Sequence, residues 1–219
     1  SDVPLNATGV EQAHHALDST PAFAWDGVMS SPLIRARLTA EVIATDHSLP
    51  LIGVHEGFRE VDFGWAEGRP SVEAYAAYPE RDFPGRESVD AVLERACAAV
   101  RDVSAQHPDG RVLVVAHGTL IRYLASAVAQ RDFTSLPNTS LTLLEVSPTL
   151  WRVPMIAGYS LREPFEWAHE EGALPRFDPT WDAPSGIAPA TLPLAERPAL
   201  EAYCPTTEKA PSHTTEESR

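Results

Sequence analysis

Three polar residues, Arg35, Glu60 and His117, have the side chains that phosphoryl transfer needs. A transferring phosphoryl group spreads negative charge over three equatorial oxygens, so positioned cations and hydrogen-bond donors stabilise its transition state. The planar guanidinium of Arg35 can bind two of these oxygens. A protonated His117 can donate to another oxygen, and Glu60 can protonate the departing alkoxide.

The sequence around His117 predicts a strand, a tight turn and a helix. Residues 111–116 form a continuous, largely β-branched run, which is typical of a central strand buried on both faces. Residues 119–129 have a helical pattern, so the positive end of a helix faces any anion bound near His117 and Gly118. A histidine at a strand end is often only packed and hydrogen-bonded, so this position needs support from other residues.

Arg35 lies in a predicted helix that follows a short buried strand, Gly27–Ser30. Pro32 fits the first helical turn and Ser31 fits its cap. The helix is predicted from apolar residues at helical spacing, which are Leu33, Ala36, Ala40 and Ile43. Arg35 is therefore expected near a strand end.

Glu60 lies in residues 58–69, a glycine-rich segment without strong periodicity that predicts a loop across the top of the sheet. A strand at Leu51–Val54 is predicted before it, and an amphipathic helix over residues 87–103 after it. Residues 140–146 and Trp151–Ile156 are predicted to form an antiparallel pair.

Composition narrows the function classes. The formal net charge is -14, which argues against general affinity for nucleic acid or anionic membranes, because both rely on surplus Lys and Arg. No apolar run reaches the roughly 18 residues of a membrane span. Cys97 and Cys204 lack metal-site spacing. We therefore expect a cytoplasmic protein, without metal or other cofactor, whose partner is a small molecule.

Four motifs, in this order, resemble those of the histidine phosphatases, the phosphoglycerate-mutase-like family, and Gly85-x-Glu87-Ser88 resembles a fifth. The four are Pro4-Leu5-Asn-x-x-Gly9-x-x-Gln12-Ala13, Ser31-Pro-Leu-x-Arg35-Ala-x-x-Thr39-Ala-Glu41, Glu60-x-x-Phe-Gly64-x-x-Glu67-Gly68 and Val-Ala-His117-Gly118. They span most of the first 120 residues, and their order makes the match specific.

The resemblance implies an α/β fold, a three-layer α/β/α sandwich around a mostly parallel sheet, and a phosphohistidine intermediate. It places the second phosphate-binding arginine on Arg35, the proton donor on Glu60 and the second catalytic histidine on His117. Gly118 lets the backbone approach the substrate. The family's nucleophile belongs to an Arg-His-Gly motif ending the first strand, and this motif does not occur in the sequence.

The resemblance therefore predicts that the first strand is missing and that this chain is impaired or inactive as a phosphatase. Removing a central strand leaves two unpaired sheet edges and exposed apolar helix faces, so we also predict marginal stability or aggregation. A domain over 1–160, an irregular extension over 161–204 and a disordered tail over 205–219 are expected. The oligomeric state is not determined by the sequence.

Two other functions stay open. A catalytically dead domain could hold a phosphorylated ligand or partner protein through Arg35 and His117. A hydrolase of another fold has little support because no Gly-x-Ser-x-Gly motif is present. Within the family, hydrolysis of a small phosphorylated metabolite is preferred over mutase activity, because residues 70–84 are short and mixed in charge. Arg37 and Arg59 are weaker candidates for the substrate rim, and Asn138 and Thr139 resemble the family's small polar pair before a late strand.

Overall fold

A computed structural model of the chain describes residues 1–18, 24–130, 132–133, 135–148, 150–162 and 166–168. The predicted tail over 205–219 and most of the predicted extension over 161–204 lie outside the described residues. None of the helices in the described part is both long and apolar enough to cross a membrane.

Helices and strands alternate along the first two thirds of the chain. The helices are α1 (Ala7–His14), α2 (Ile34–Asp46), α3 (Ser71–Ala77), α4 (Val89–Gln106) and α5 (Gly118–Ala129). The strands are β1 (Gly27–Ser30), β2 (Leu51–Val54), β3 (Val112–Val115), β4 (Leu143–Val146), β5 (Trp151–Ile156), β6 (Tyr159–Arg162) and β7 (Glu166–Ala168). Short 3-10 turns lie at Glu56–Phe58 and Gly64–Ala66.

The first three strands form a parallel sheet in the order β2-β1-β3, with helices on both faces. Successive side chains of a strand point to opposite faces. Val28 and its register partner Leu113 pack with α2, whereas Met29 packs with Ala99 and Val103 of α4. The two helix layers and the sheet between them give the expected three-layer α/β arrangement.

The predicted central position of residues 111–116 is wrong in this structure. Within the described residues, β3 pairs only with β1, and Leu113 alone of its four residues is fully buried. β1 is the central strand, and all four of its residues are buried. A β-branched run reports that a strand is covered on its faces, and it carries no information about how many neighbours pair with its edges.

A second sheet is antiparallel, in the order β4-β5-β6-β7. The predicted pair over 140–146 and Trp151–Ile156 is present, with the first strand starting at Leu143. Ala125 and Ala129 of α5 pack against Val153 and Ile156 of β5. Because α5 also begins at the end of β3, this helix fixes the second sheet beside the first.

A cavity of about 1130 Å³ lies between β3 and β4. It is lined by every residue of both strands, by Ala36 and Ile43 of α2, and by Val100 of α4 and Leu124 of α5. The cavity runs along the full length of both strands, so it has room for a further β-strand between them. We call this space the strand slot.

The strand slot has the two unpaired edges expected from the sequence. In the described part of the chain, β3 pairs only through its β1 side and β4 only through its β5 side. Apolar side chains of α2 line the cavity from one helix layer, and those of α4 and α5 line it from the other.

Candidate active site

The carboxyl ends of the three parallel strands place the predicted site residues at one edge of the first sheet. Arg35 follows β1, Glu60 follows β2 and His117 directly follows β3. All three side chains line the same cavity, together with Gly118 at the start of α5. The structure therefore brings the sequence-predicted residues together, at one end of the strand slot.

His117 is 6% exposed, and its Nε2 atom shares a hydrogen bond with Oγ of Ser31 at 2.7 Å. Burial, together with the charges of Arg35 and Arg95, lowers the pKa of His117 to about 3, although Asp2 opposes this. The imidazole is therefore neutral at pH 7 without ligand. A phosphoryl dianion beside the ring would raise this pKa, because an opposite charge favours the protonated form.

Ser31 has a different role from the predicted helix cap. α2 begins at Ile34, and its cap residue Leu33 makes no side-chain capping bond. Oγ of Ser31 instead accepts from the Leu33 N–H at 3.3 Å, and Oδ1 of Asp2 accepts from the Ile34 N–H at 2.7 Å. Ser31 is fully buried, so its hydroxyl orients the His117 ring. The only sequence signal for this role of Ser31 was its position beside Pro32 at a strand end.

Glu60 is a partly buried residue at the cavity. Burial raises its pKa, while the N–H groups of Val61 and Leu120 and the charges of Arg35 and Arg95 oppose this rise in part. The Val61 N–H donates to Oε1 at 2.9 Å. A carboxyl whose pKa is raised by burial keeps its proton closer to neutral pH, as a general acid must.

Arg35 carries the positive charge of the site. Its charge lowers the pKa values of His117, Glu60 and Glu67, so its guanidinium lies near all three. Nη1 of Arg35 donates to the Ser1 carbonyl at 3.0 Å, and the Ser1 ammonium pairs with the Glu67 carboxylate. The chain's first residues therefore lie against the arginine that would bind phosphate.

The loop that carries Glu60, residues 55–67, is held close to α4 and we call it the acid loop. A Cβ atom on Gly57 would lie 2.7 Å from both Cβ of Ala99 and the Arg95 carbonyl. Gly64 has φ of +56°, and a Cβ atom there would lie 2.4 Å from the Pro84 carbonyl. Only glycine fits at these two contacts, which set the path of the loop.

Sequence reasoning missed Arg95 as a contributor to this site. Its guanidinium binds the acid loop, and its charge acts on Glu60 and on His117. The sequence signal for this role was Glu87, which belongs to the Gly85-x-Glu87-Ser88 motif and forms an ion pair with Arg95.

The weaker candidates have surface contacts or line the cavity. Nε of the exposed Arg59 lies 3.7 Å from Glu56, and Arg37 is exposed as well. Asn138 and Thr139 line the cavity, and the Asn138 amide donates to Gln12 at 3.5 Å. Three other histidines pair with carboxylates at the surface: His14, His15 and His55.

The arrangement can bind an oxyanion and supply a proton. Arg35 and the amino end of α5 attract negative charge, while Glu60 holds its proton more tightly than an exposed glutamate does. Among the described residues, no three His, Cys, Asp or Glu side chains form a group that could hold a metal ion.

Comparison with known proteins identifies the family. The histidine phosphatase superfamily (branch 1) matches residues 1–157. The chain is 35% identical to PhoE, an uncharacterized phosphatase of Bacillus subtilis (strain 168), over 157 residues, which cover 70% of this chain and 81% of PhoE. It is 30% identical to phosphoglycerate mutase-like protein 4 of Arabidopsis thaliana over 162 residues, 66% of this chain and 70% of the relative.

A solved structure agrees with this assignment. A mycobacterial glucosyl-3-phosphoglycerate phosphatase in complex with VO3 superposes with a TM-score of 0.62 at 27% identity, over 69% of this chain and 85% of that chain. The match confirms the α/β, phosphoglycerate-mutase-like fold. The chain belongs to branch 1 of the histidine phosphatase superfamily.

Proposed function

We propose that this site hydrolyses phosphomonoesters of small metabolites through a phosphohistidine, with the nucleophilic histidine supplied by a β-strand seated in the strand slot. One observation carries the proposal: Arg35, Glu60 and His117 line one end of the same cavity that has room for a strand. A strand running to that end would deliver its last residues between Arg35 and His117.

The chemistry follows from the side chains present. The incoming imidazole nitrogen forms a bond to phosphorus as the ester P–O bond breaks, and Glu60 gives its proton to the departing alkoxide. Water then attacks the phosphohistidine, the N–P bond breaks, and the Glu60 carboxylate takes the proton of the water. Arg35 and His117 donate to the phosphoryl oxygens throughout, so inorganic phosphate leaves and every group returns to its starting state.

Hydrolysis is preferred over mutase activity for two reasons. The relative at 35% identity and the solved structure at 27% identity are both named as phosphatases, whereas the relative named as mutase-like is 30% identical. The segment after the acid loop is short, with α3 of seven residues and few basic side chains to retain a phosphorylated sugar acid.

The direct test adds a peptide to the chain. The peptide has a seven-residue apolar strand followed by Arg-His-Gly, and a matched control ends in Arg-Ala-Gly. We expect the first peptide to produce nitrophenyl phosphate hydrolysis, whereas the control binds equally well without turnover. If both peptides protect β3 and β4 amides from hydrogen exchange and neither gives turnover, the proposed reaction is wrong.

Glu60 as the acid has a separate test in this peptide complex. Glu60→Gln should slow hydrolysis of an alkyl phosphate by about 10²–10⁴-fold, the usual contribution of a general acid. Nitrophenyl phosphate, whose leaving group needs little protonation, should lose far less. His117→Ala and Arg35→Ala should slow both substrates alike, because they act on the phosphoryl group. Equal losses for both substrates in Glu60→Gln would remove Glu60 as the acid.

A second candidate is a domain that binds a phosphorylated ligand without turnover. It is favoured by the position of Arg35 and His117, which line one cavity together with the amino end of α5. Inorganic phosphate titrated into the chain alone should then shift the His117 imidazole resonances at millimolar or lower concentration. Tight binding by the chain alone, with no activity after the peptide is added, would favour this candidate.

A further inference from the structure

Arg95 lies on α4 and joins this helix to the acid loop. Its side chain makes more hydrogen bonds than the side chain of Arg35, Glu60 or His117 does. Nη1 donates to the carbonyls of Gly57 and Arg59 at 2.9 and 2.7 Å, and Nη2 donates to the carbonyl of Glu60 at 3.3 Å. The Nε and Nη2 atoms also donate to the two Glu87 carboxylate oxygens, at 2.7 and 2.9 Å. The guanidinium is therefore bound on every side.

Glu87 holds the backbone of the acid loop on the other side of Glu60. Oε2 of Glu87 accepts from the Asp62 N–H at 3.2 Å, and the Glu87 N–H donates to the Asp62 carbonyl at 2.8 Å. The backbone is thus fixed at residues 57, 59 and 60 by Arg95 and at residue 62 by Glu87. The backbone of Glu60 belongs to this fixed stretch, so its carboxyl stays within reach of the Val61 and Leu120 N–H groups.

The pair is well suited to hold a loop. The side chains of Arg95 and Glu87 are 24% and 21% exposed, and the guanidinium meets the carboxylate through two parallel N–H donors. Such a bidentate pair is shorter and more directional than a lysine contact. The Arg95 side chain lowers the pKa of Glu87, first through its hydrogen bonds and also through its charge, so the pair stays ionised.

We propose that Arg95 is a positioning residue for Glu60: it keeps the carboxyl buried against the amino end of α5, and Glu87 orients Arg95. This rests on the proposed function, in which Glu60 is the acid. Arg95 lies behind the loop backbone and is not a catalytic residue.

The choice of variant separates the effect of the Arg95 charge on Glu60 from the effect of Arg95 on the position of Glu60. Three arginines act on Glu60 electrostatically: Arg35 from α2, Arg95 from α4 and Arg122 from α5. Arg95→Lys keeps the positive charge but replaces a five-donor fork by a point charge that cannot reach three carbonyls and a carboxylate together. A change in Glu60 in this variant therefore reports position.

The experiment follows the Glu60 carboxyl by ¹³C NMR over a pH titration of the chain alone. In Arg95→Lys the loop loosens and Glu60 gains water, so its pKa should fall towards the ordinary value for glutamate. The Val61 amide, which donates to Glu60, should exchange with solvent about tenfold faster, as in a locally opened segment. Arg101→Gln, on an exposed position of the same helix, is the control and should change neither quantity.

Glu87→Gln provides a second variant in case Arg95→Lys does not fold. It keeps the shape of the pair but removes the negative charge of Glu87, which by itself lowers the pKa of Glu60. In this variant the exchange rate of the Val61 amide therefore reports position, and it should rise less than in Arg95→Lys. An unchanged Glu60 titration and an unchanged Val61 exchange rate in both variants would overturn the proposal, even if thermal stability falls. These readouts need no turnover, so they stand if the proposed reaction fails.

In the peptide complex the same variant gives a kinetic readout. Arg95→Lys should slow alkyl phosphate hydrolysis at least about tenfold more than nitrophenyl phosphate hydrolysis, since only the former needs the acid. Equal slowing of both substrates would show that Arg95 supports the site as a whole and would contradict its assignment to Glu60.

Discussion

At the residue scale, one physical cause shifts both His117 and Glu60 towards their uncharged forms. Burial disfavours the charged form of either group, so it lowers the pKa of the histidine and raises the pKa of the carboxyl. Arg35 then acts as the cation that an incoming phosphate meets. A phosphate dianion that binds beside His117 and Arg35 would raise the pKa of His117, because an opposite charge favours the protonated imidazole.

The low pKa of His117 predicts acid sensitivity. The unfolded chain protonates this histidine near pH 6.5 and the folded chain only near pH 3, so stability falls as the pH falls through this window. The contribution is about 1.4 kcal/mol per pH unit at most. Urea unfolding at pH 4.5, 5.5 and 6.5 should show a steeper decline than in His117→Gln. Parallel declines would show that His117 is not neutral in the folded state.

At the element scale, parallel pairing converts three distant segments into one site. The carboxyl ends of β1, β2 and β3 lie at the same edge of their sheet, so Arg35, Glu60 and His117 meet although they are far apart in sequence. The acid loop then depends on how closely it approaches α4, and this distance is set by Gly57 and Ala99.

Gly57→Ala should destabilise the chain by about 1–3 kcal/mol, the usual cost of forcing a methyl group into a packed contact. Its Cβ atom would meet Ala99 and the Arg95 carbonyl at 2.7 Å. Gly118→Ala is the matched comparison, since its Cβ atom meets only the Leu136 carbonyl, at 3.9 Å. It should change the free energy of unfolding by less than about 0.5 kcal/mol. Equal decreases in the free energy of unfolding of the two variants, measured with urea, would show that the acid loop can shift to accommodate the added methyl group.

At the scale of the whole molecule, the strand slot divides the fold into two sheets joined by α5. Within the described residues, the slot leaves one backbone edge of β3 and one of β4 unpaired, and apolar side chains from both helix layers line it. Unpaired edges of this kind attract other strands, from a peptide or from other copies of the chain.

The chain alone should therefore associate as its concentration rises, and it should bind a hydrophobic dye. Analytical ultracentrifugation across a hundredfold concentration range would measure this, and the strand peptide should restore a monomer with a higher melting temperature. A monomeric chain that unfolds cooperatively at about 45–65 °C, as ordinary mesophilic domains do, would contradict this prediction.

The sequence determined the family and the fold class, and it singled out the three residues that the structure brings to one cavity. Motifs around Arg35, Glu60 and His117 combine side-chain chemistry with local turns and helix starts, and these depend on neighbours in the chain. The strands at Gly27–Ser30 and Leu51–Val54 and the final antiparallel pair were predicted for the same reason, since periodicity and turn residues are local signals.

Tertiary structure decided the rest, because it depends on contacts between distant segments. Burial from all sides makes His117 neutral, and no local pattern reports the partners that Ser31 and Arg95 find across the fold. The place of the slot between β3 and β4 also follows from strand pairing, which hydrophobic pattern does not specify. The sequence thus specified the chemical groups and predicted two unpaired sheet edges, whereas packing set the protonation of His117 and the place of the gap.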